Sequence, residues 1–160
     1  MPETIKITPG IGLTIKYSGA FDFDKFYKEM HDWFIMHKYD FNEKEHTKKE
    51  RETGNYIEIN WAGDKKIDDY AQFSINVHII IENMAATEGI DSGNLAMEIV
   101  GNLILDYSNR WQSRPFNKFL IKIYNNYIIK DKINKYYIGK LYEEVTNLQD
   151  MAKSILGLYS

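Results

Sequence analysis

The sequence predicts an α+β domain: an antiparallel sheet of about five strands, in the order β-α-β-β-β-β-α-α, with helices packed on one face. Three observations point there. Residues 72–81 alternate strictly, with Phe73, Ile75, Val77, Ile79 and Ile81 on one side and Gln72, Ser74, Asn76 and His78 on the other. Such alternation marks a strand buried on one face and wet on the other. Phe23, Phe26, Tyr27, Met30, Trp33 and Phe34 instead step by three and four, one stripe of a helix. A second helical run, Ile133, Tyr137, Leu141, Val145, Leu148, Ala152 and Ile155, ends at Gly157, a residue suited to the position just past a helix.

The remaining elements fall between these. A first strand fits residues 10–19, with Ile11, Leu13, Ile15 and Tyr17 on one face, and Pro9, Gly10 and Gly12 make its start irregular. The helix that follows has Asp22 as N-cap, Asp24 at the positive end of its dipole, and Phe21 and Phe26 as a hydrophobic staple. A short strand is expected near 39–47. The segment from Asn42 to Glu52 is almost wholly charged and polar, and reads as an exposed connection that tolerates shortening. A strand from Asn55 carries Ile57, Ile59 and Trp61 inward, and Lys65 to Tyr70 form the next reversal. Residues 83–94 read as a loop. A long strand from Leu95 to Tyr107 has Gly101 on its apolar face, suggesting a bend or bulge. Pro115 suits a helix start, with Phe116, Phe119, Leu120, Ile123 and Tyr127 at helical spacing, and a break is expected near Lys130–Lys132.

This order of elements is similar to the helix-grip architecture of START-like domains, in which a curved sheet wraps a long C-terminal helix. The resemblance rests on element order and implies a binding domain for an apolar or lipid-like ligand.

At 160 residues the chain is long enough for one domain with a real core, and its 44% hydrophobic content is that of a globular protein. The absence of cysteine removes disulfides, thiolate metal sites and cysteine nucleophiles. The first residues show no basic and then apolar leader, and the apolar runs are far too short to span a bilayer. A cytoplasmic protein is expected.

Few residues suggest chemistry. His31 and His37 lie six apart on one helix, so they cannot share a metal as residues four apart would. His46 falls in the charged segment and His78 on a wet face, where solvated or structural roles are expected. No nucleophile elbow and no phosphate-cradling glycine loop occurs. Asp68 and Asp69 are adjacent but sit in a turn, where aspartates serve backbone geometry. We therefore assign no catalytic residue, metal ligand or cofactor, and lean against an enzyme.

The charge layout is more telling. Residues Arg110 to Lys140 hold eight Lys or Arg against the single acid Asp131, while the whole chain has net charge −3, leaving −10 for the rest. With the apolar stripe facing the sheet, Lys118, Lys122 and Lys130 point outward, forming a basic amphipathic helix. Such a face is often merely solvated; it can also meet an anionic membrane, nucleic acid or an acidic partner. A pI near 5.8 argues against nucleic acid. The complementary acidic surface of an identical neighbour favours self-association. The interaction surface so expected comprises Arg110, Arg114, Lys118, Lys122 and Lys130. Among Tyr124, Tyr127, Tyr136, Tyr137 and Tyr142, some must also face solvent, ligand or another subunit. The expected function is a non-catalytic assembly subunit, homo-oligomeric and part of a larger viral or cellular particle. The alternative is the apolar-ligand domain.

Overall fold

In the computed structural model, which describes residues 3–87, 90–105 and 133–158, alternation and helical stripes resolve into one six-stranded antiparallel sheet with helices on one face. The strands are β1 (Glu3–Lys6), β2 (Leu13–Phe21), β3 (Asp40–Arg51), β4 (Gly54–Lys66), β5 (Ala71–Thr87) and β6 (Ile90–Leu105); helix α1 (Phe23–Met36) lies between β2 and β3. After β6 the described chain resumes in a π-helical turn, Ile133–Ile138, which leads into α2 (Gly139–Ile155). The sheet order is β1-β6-β5-β4-β3, with β2 also on β6. Thus β3 to β6 form a meander, and α1 carries the chain from one sheet edge to the other.

Short β1 was not expected from the sequence. It pairs with Asn102–Leu105 and β2 with Asp91–Ile99, so the two share one interrupted edge lane. Between them Thr8 is buried and accepts from the Gly101 amide at 3.4 Å. Gly12 has φ +118°, and a Cβ there would lie 2.6 Å from the Ile99 carbonyl oxygen. Ile11, expected on the inward face, sits in this excursion and is exposed.

Helix α1 forms where its stripe and caps coincide. Asp22 accepts from the Lys25 amide at 3.1 Å, and Asp91 of β6 accepts from the Phe23 amide at 3.3 Å. Phe26, Met30, Trp33 and Phe34 are buried. The helix closes with the Tyr39 amide donating to the Phe34 carbonyl and the Lys38 amide to that of Ile35. That is a Schellman ending with Lys38, at φ +66°, where glycine is usual. Helix α2 buries Leu141, Val145, Leu148 and Ala152 and ends in the same motif, here with Gly157 at φ +72°.

The core lies between the helices and one face of the sheet. Ile57, Ile59 and Trp61 of β4 meet Phe73, Ile75, Val77, Ile79 and Ile81 of β5, all buried. Ser74, on the opposite face, is also buried rather than wet. Gly101 is not a bulge: its register with Ile75 continues unbroken, and it is small because the helix comes close. A Cβ there would lie 2.9 Å from Val145 Cγ2, and one on Gly63 2.7 Å from the Phe34 ring.

Two segments differ from the sequence expectation. The strand expected near 39–47 is present but runs on to Arg51 as β3, so the segment from Glu43 that read as an exposed connection is paired with β4. Residues 83–87 and 90–94 are not loop but the paired ends of β5 and β6, with a register shift between Glu82 and Ala85. In each a bulge breaks the period-two pattern by which a strand is read. The helix over Pro115–Tyr127, the break near Lys130–Lys132, and Tyr107, Tyr124 and Tyr127 lie outside the described residues. Of the other C-terminal tyrosines, Tyr137 is buried, and Tyr136 and Tyr142 are exposed.

Candidate functional site

Among the described residues the polar side chains that could do chemistry gather in three places: under α2, on the open face of the sheet, and along β3. Under α2 they hold elements together. The Asp68 carboxylate accepts from the Tyr70 and Ala71 amides, both at 2.8 Å, and from the Tyr137 hydroxyl, so Asp68 shapes the turn and also anchors the π-helical turn that leads into α2. Trp33 Nε1 donates to Asn147 Oδ1 at 2.8 Å, joining α1 to α2, and Gln149 donates to the Thr14 carbonyl at 3.2 Å. Lys65 pairs with Glu144.

On the open face His78 Nε2 lies 2.7 Å from Glu58 Oε2, and the Tyr56 hydroxyl donates to Glu58 Oε1 at 3.2 Å. The hydrogen bond from His78, chief among the causes, holds the Glu58 carboxyl below its usual range. Arg51 stacks over the Tyr56 ring at 4.4 Å. A histidine–carboxylate pair is part of a general-base device. Its partners here are a tyrosine and an arginine, which extend the pair into a surface network. Nearby, a shallow depression of about 290 Å³ is lined by Lys16, Ser18, Ile80, Glu82, Asn94 and Ala96, among others.

The third place is the most unusual. The bulge in β3 between Glu43 and Glu45 leaves Glu43 opposite Trp61 and His46 opposite Ile59, so both sit on the helix-covered face. There Glu43 accepts from the Tyr27 hydroxyl at 2.9 Å and from Trp61 Nε1 at 3.4 Å, and faces His46 Nδ1 at 3.2 Å. Burial first, then Glu43, push the Tyr27 hydroxyl up to about 12. Past the bulge Glu45 turns to the other face and accepts from Asn60 at 3.0 Å. Thus β3 carries a tethered Tyr–Glu–His–Trp cluster on one side and open charges along its length.

The remaining histidines are scattered. His31 edges onto the Phe41 ring at 4.7 Å, and His37 stacks on Trp33 at 4.0 Å with Nδ1 2.9 Å from the Trp33 carbonyl. Among the described residues no three His, Asp or Glu side chains form a metal-binding group. None of their helices is long and apolar enough to cross a membrane. The expected interaction surface of Arg110, Arg114, Lys118, Lys122 and Lys130 lies outside the described residues. Sequence reasoning missed the Tyr27–Glu43–His46 cluster because it placed Glu43 and His46 in a connection; the bulge that brings them together leaves no mark on composition.

Compared with known proteins, the chain matches no family model, no curated protein and no solved structure.

Proposed function

We propose that the chain is a non-catalytic assembly subunit that associates with copies of itself through charged surfaces. The observation that carries this reading is β3, twelve residues rich in charges of both signs that form a sheet edge among the described residues. A second support is the segregation of basic residues into Arg110–Lys140 while the rest of the chain is acidic. Opposed charges on two copies contribute little to folding but set partner choice and encounter rate. Charge reversal by Lys118→Glu with Lys122→Glu is expected to weaken the assembly and leave circular dichroism unchanged. A mass in solution that ignores both substitutions contradicts a role for that surface.

The alternative is a helix-grip domain for an apolar ligand, favoured by α1 joining the two sheet edges and by α2 lying on the same face. Against it stands the closeness of both helices to the sheet. Phe34 fills the space over Gly63, and Val145 that over Gly101. At those two points side chains occupy the volume that a ligand needs.

A further inference from the structure

We infer that β3 is the edge through which two copies pair, antiparallel about a two-fold axis, with the acidic first half of one strand opposite the basic second half of the other. This rests on the assembly reading and adds to it one interface, separate in sequence from the basic segment Arg110–Lys140. Among the described residues β4 is the sole neighbour of β3, which runs unbroken in pairing terms from Asp40 to Arg51 but for its bulge. The opposite edge is interrupted by residues 7–12 between β1 and β2 and offers no comparable length.

The order of charges is the first argument. Asp40, Glu43 and Glu45 fall in the first half of β3, and Lys48, Lys49 and Arg51 in the second; Lys44, at the bulge, and Glu50 are the exceptions. An edge guarded against pairing typically relies on lysines and other like-signed charges. Here the sequence of signs complements itself when reversed, which is what an antiparallel two-fold pair requires.

The bulge is the second argument. In such a pair, directly opposed residues must face the same side of the joined sheet. In an unbroken strand only residues an even number apart do so. Before the bulge Phe41 and Glu43 face the helix-covered side, opposite Gly63 and Trp61; after it His46 and Lys48 do, opposite Ile59 and Ile57. The bulge therefore puts Asp40 on the same side as Arg51, and Glu43 on the same side as Lys48. One register sets Asp40 opposite Arg51, Asn42 opposite Lys49 and Glu43 opposite Lys48, and symmetry repeats each pair. Asp40, Asn42, Lys48, Lys49 and Arg51 are exposed and available for it. A two-residue slip one way sets Glu43 against Glu50. A slip the other way carries Arg51 past the end of the partner strand.

Because the chain has no cysteine, cross-linking tests the register cleanly. Opposed residues bring their Cβ atoms to about 4.5–5.5 Å, near enough for a disulfide after small adjustment. The full chain carrying Asn42→Cys and Lys49→Cys is expected to form disulfide-linked dimers under mild oxidation. The pair Asn42→Cys and Glu50→Cys, which face opposite sides, should stay unlinked. In chains without cysteine, Asp40→Lys should weaken the dimer about tenfold, the loss of two opposed pairs, and Asp40→Lys with Arg51→Asp should restore it. Self-association without the cross-link, and untouched by Asp40→Lys, overturns this interface and leaves the assembly reading standing. A monomer at every concentration overturns both.

Discussion

Lys65 Nζ lies 2.6 Å from Glu144 Oε1, an ion pair that ties β4 to α2 with both side chains mostly withdrawn from water, at 16% and 12% exposure. The same ammonium sits 4.6 Å from the centre of the Tyr39 ring. Glu144 Oε2 and the Tyr39 hydroxyl are both buried, and among the described residues neither meets a partner at hydrogen-bond geometry. Burial first, then the Glu144 charge, hold the Tyr39 hydroxyl far above its ordinary pKa.

Two substitutions should therefore move stability in opposite directions. Lys65→Met leaves the carboxylate without its counter-charge and is expected to cost about 3 kcal/mol in urea unfolding. Tyr39→Phe deletes an unpaired buried hydroxyl, and should be neutral or stabilising by up to ~1 kcal/mol. A loss above ~1 kcal/mol in Tyr39→Phe would show that the hydroxyl bonds to Glu144 in solution.

The two sheet glycines beneath the helices should resist even one methyl group. Gly63→Ala drives Cβ into the Phe34 ring and Gly101→Ala drives it into Val145, and each is expected to cost about 1–3 kcal/mol. Adding Val145→Ala to Gly101→Ala should relieve the collision, so the double variant loses less than the two single losses together. Simple additivity in thermal unfolding would mean that the helix does not approach Gly101 this closely.

The end of α1 offers a stabilising change. Lys38 holds φ +66° at the position a Schellman ending usually gives to glycine. Removing Cβ relieves about 1 kcal/mol of strain, against which the freer unfolded chain is an opposing cost. Lys38→Gly should thus raise or hold the melting temperature, whereas glycine elsewhere in α1 lowers it. A clear drop would indicate that the Lys38 side chain makes a contact of its own.

Much of this architecture was legible because several signals agreed. In α1 the stripe, the Asp22 cap and the Phe21–Phe26 staple all mark the same start. The inward set of β5 is strictly periodic, and Gly157 ends α2 as its position implied. A strand near 39–47 was legible but its full length was not, since its residues are charged on both faces and the bulge at Lys44 reverses their alternation midway. Nothing local distinguishes such a strand from a polar connection; pairing with β4 does. Gly101 was misleading for a related reason. Its small size answers to Val145, a residue forty-four positions later, and no local pattern contains that. Of the candidate surfaces, the basic segment stood out in the sequence, while the Tyr27–Glu43–His46 cluster exists only through the bulge.

That cluster should have a spectroscopic signature. Tyr27 is pushed up to about 12, by burial and then by Glu43, against an ordinary value near 10. A group whose folded pKa is raised contributes stability that is fully present below its unfolded pKa. As pH climbs from about 10 to about 12, that contribution is lost. Comparing ultraviolet titrations of the protein and its Tyr27→Phe variant isolates this residue. Glu43→Gln should bring its ionisation part of the way back toward 10, since burial remains. An unchanged titration in Glu43→Gln would mean that the carboxylate does not hold the hydroxyl.

The central claim is that copies of this chain associate through complementary charge. Its most direct test is the mass of the unmodified full chain in solution, measured by sedimentation over a range of concentrations at low and at high salt. Self-association that rises with concentration and weakens as salt shortens the reach of exposed charges, to about 8 Å at physiological strength and less beyond it, is the result predicted here. A monomer of 18.9 kDa at every concentration and both salts would contradict it.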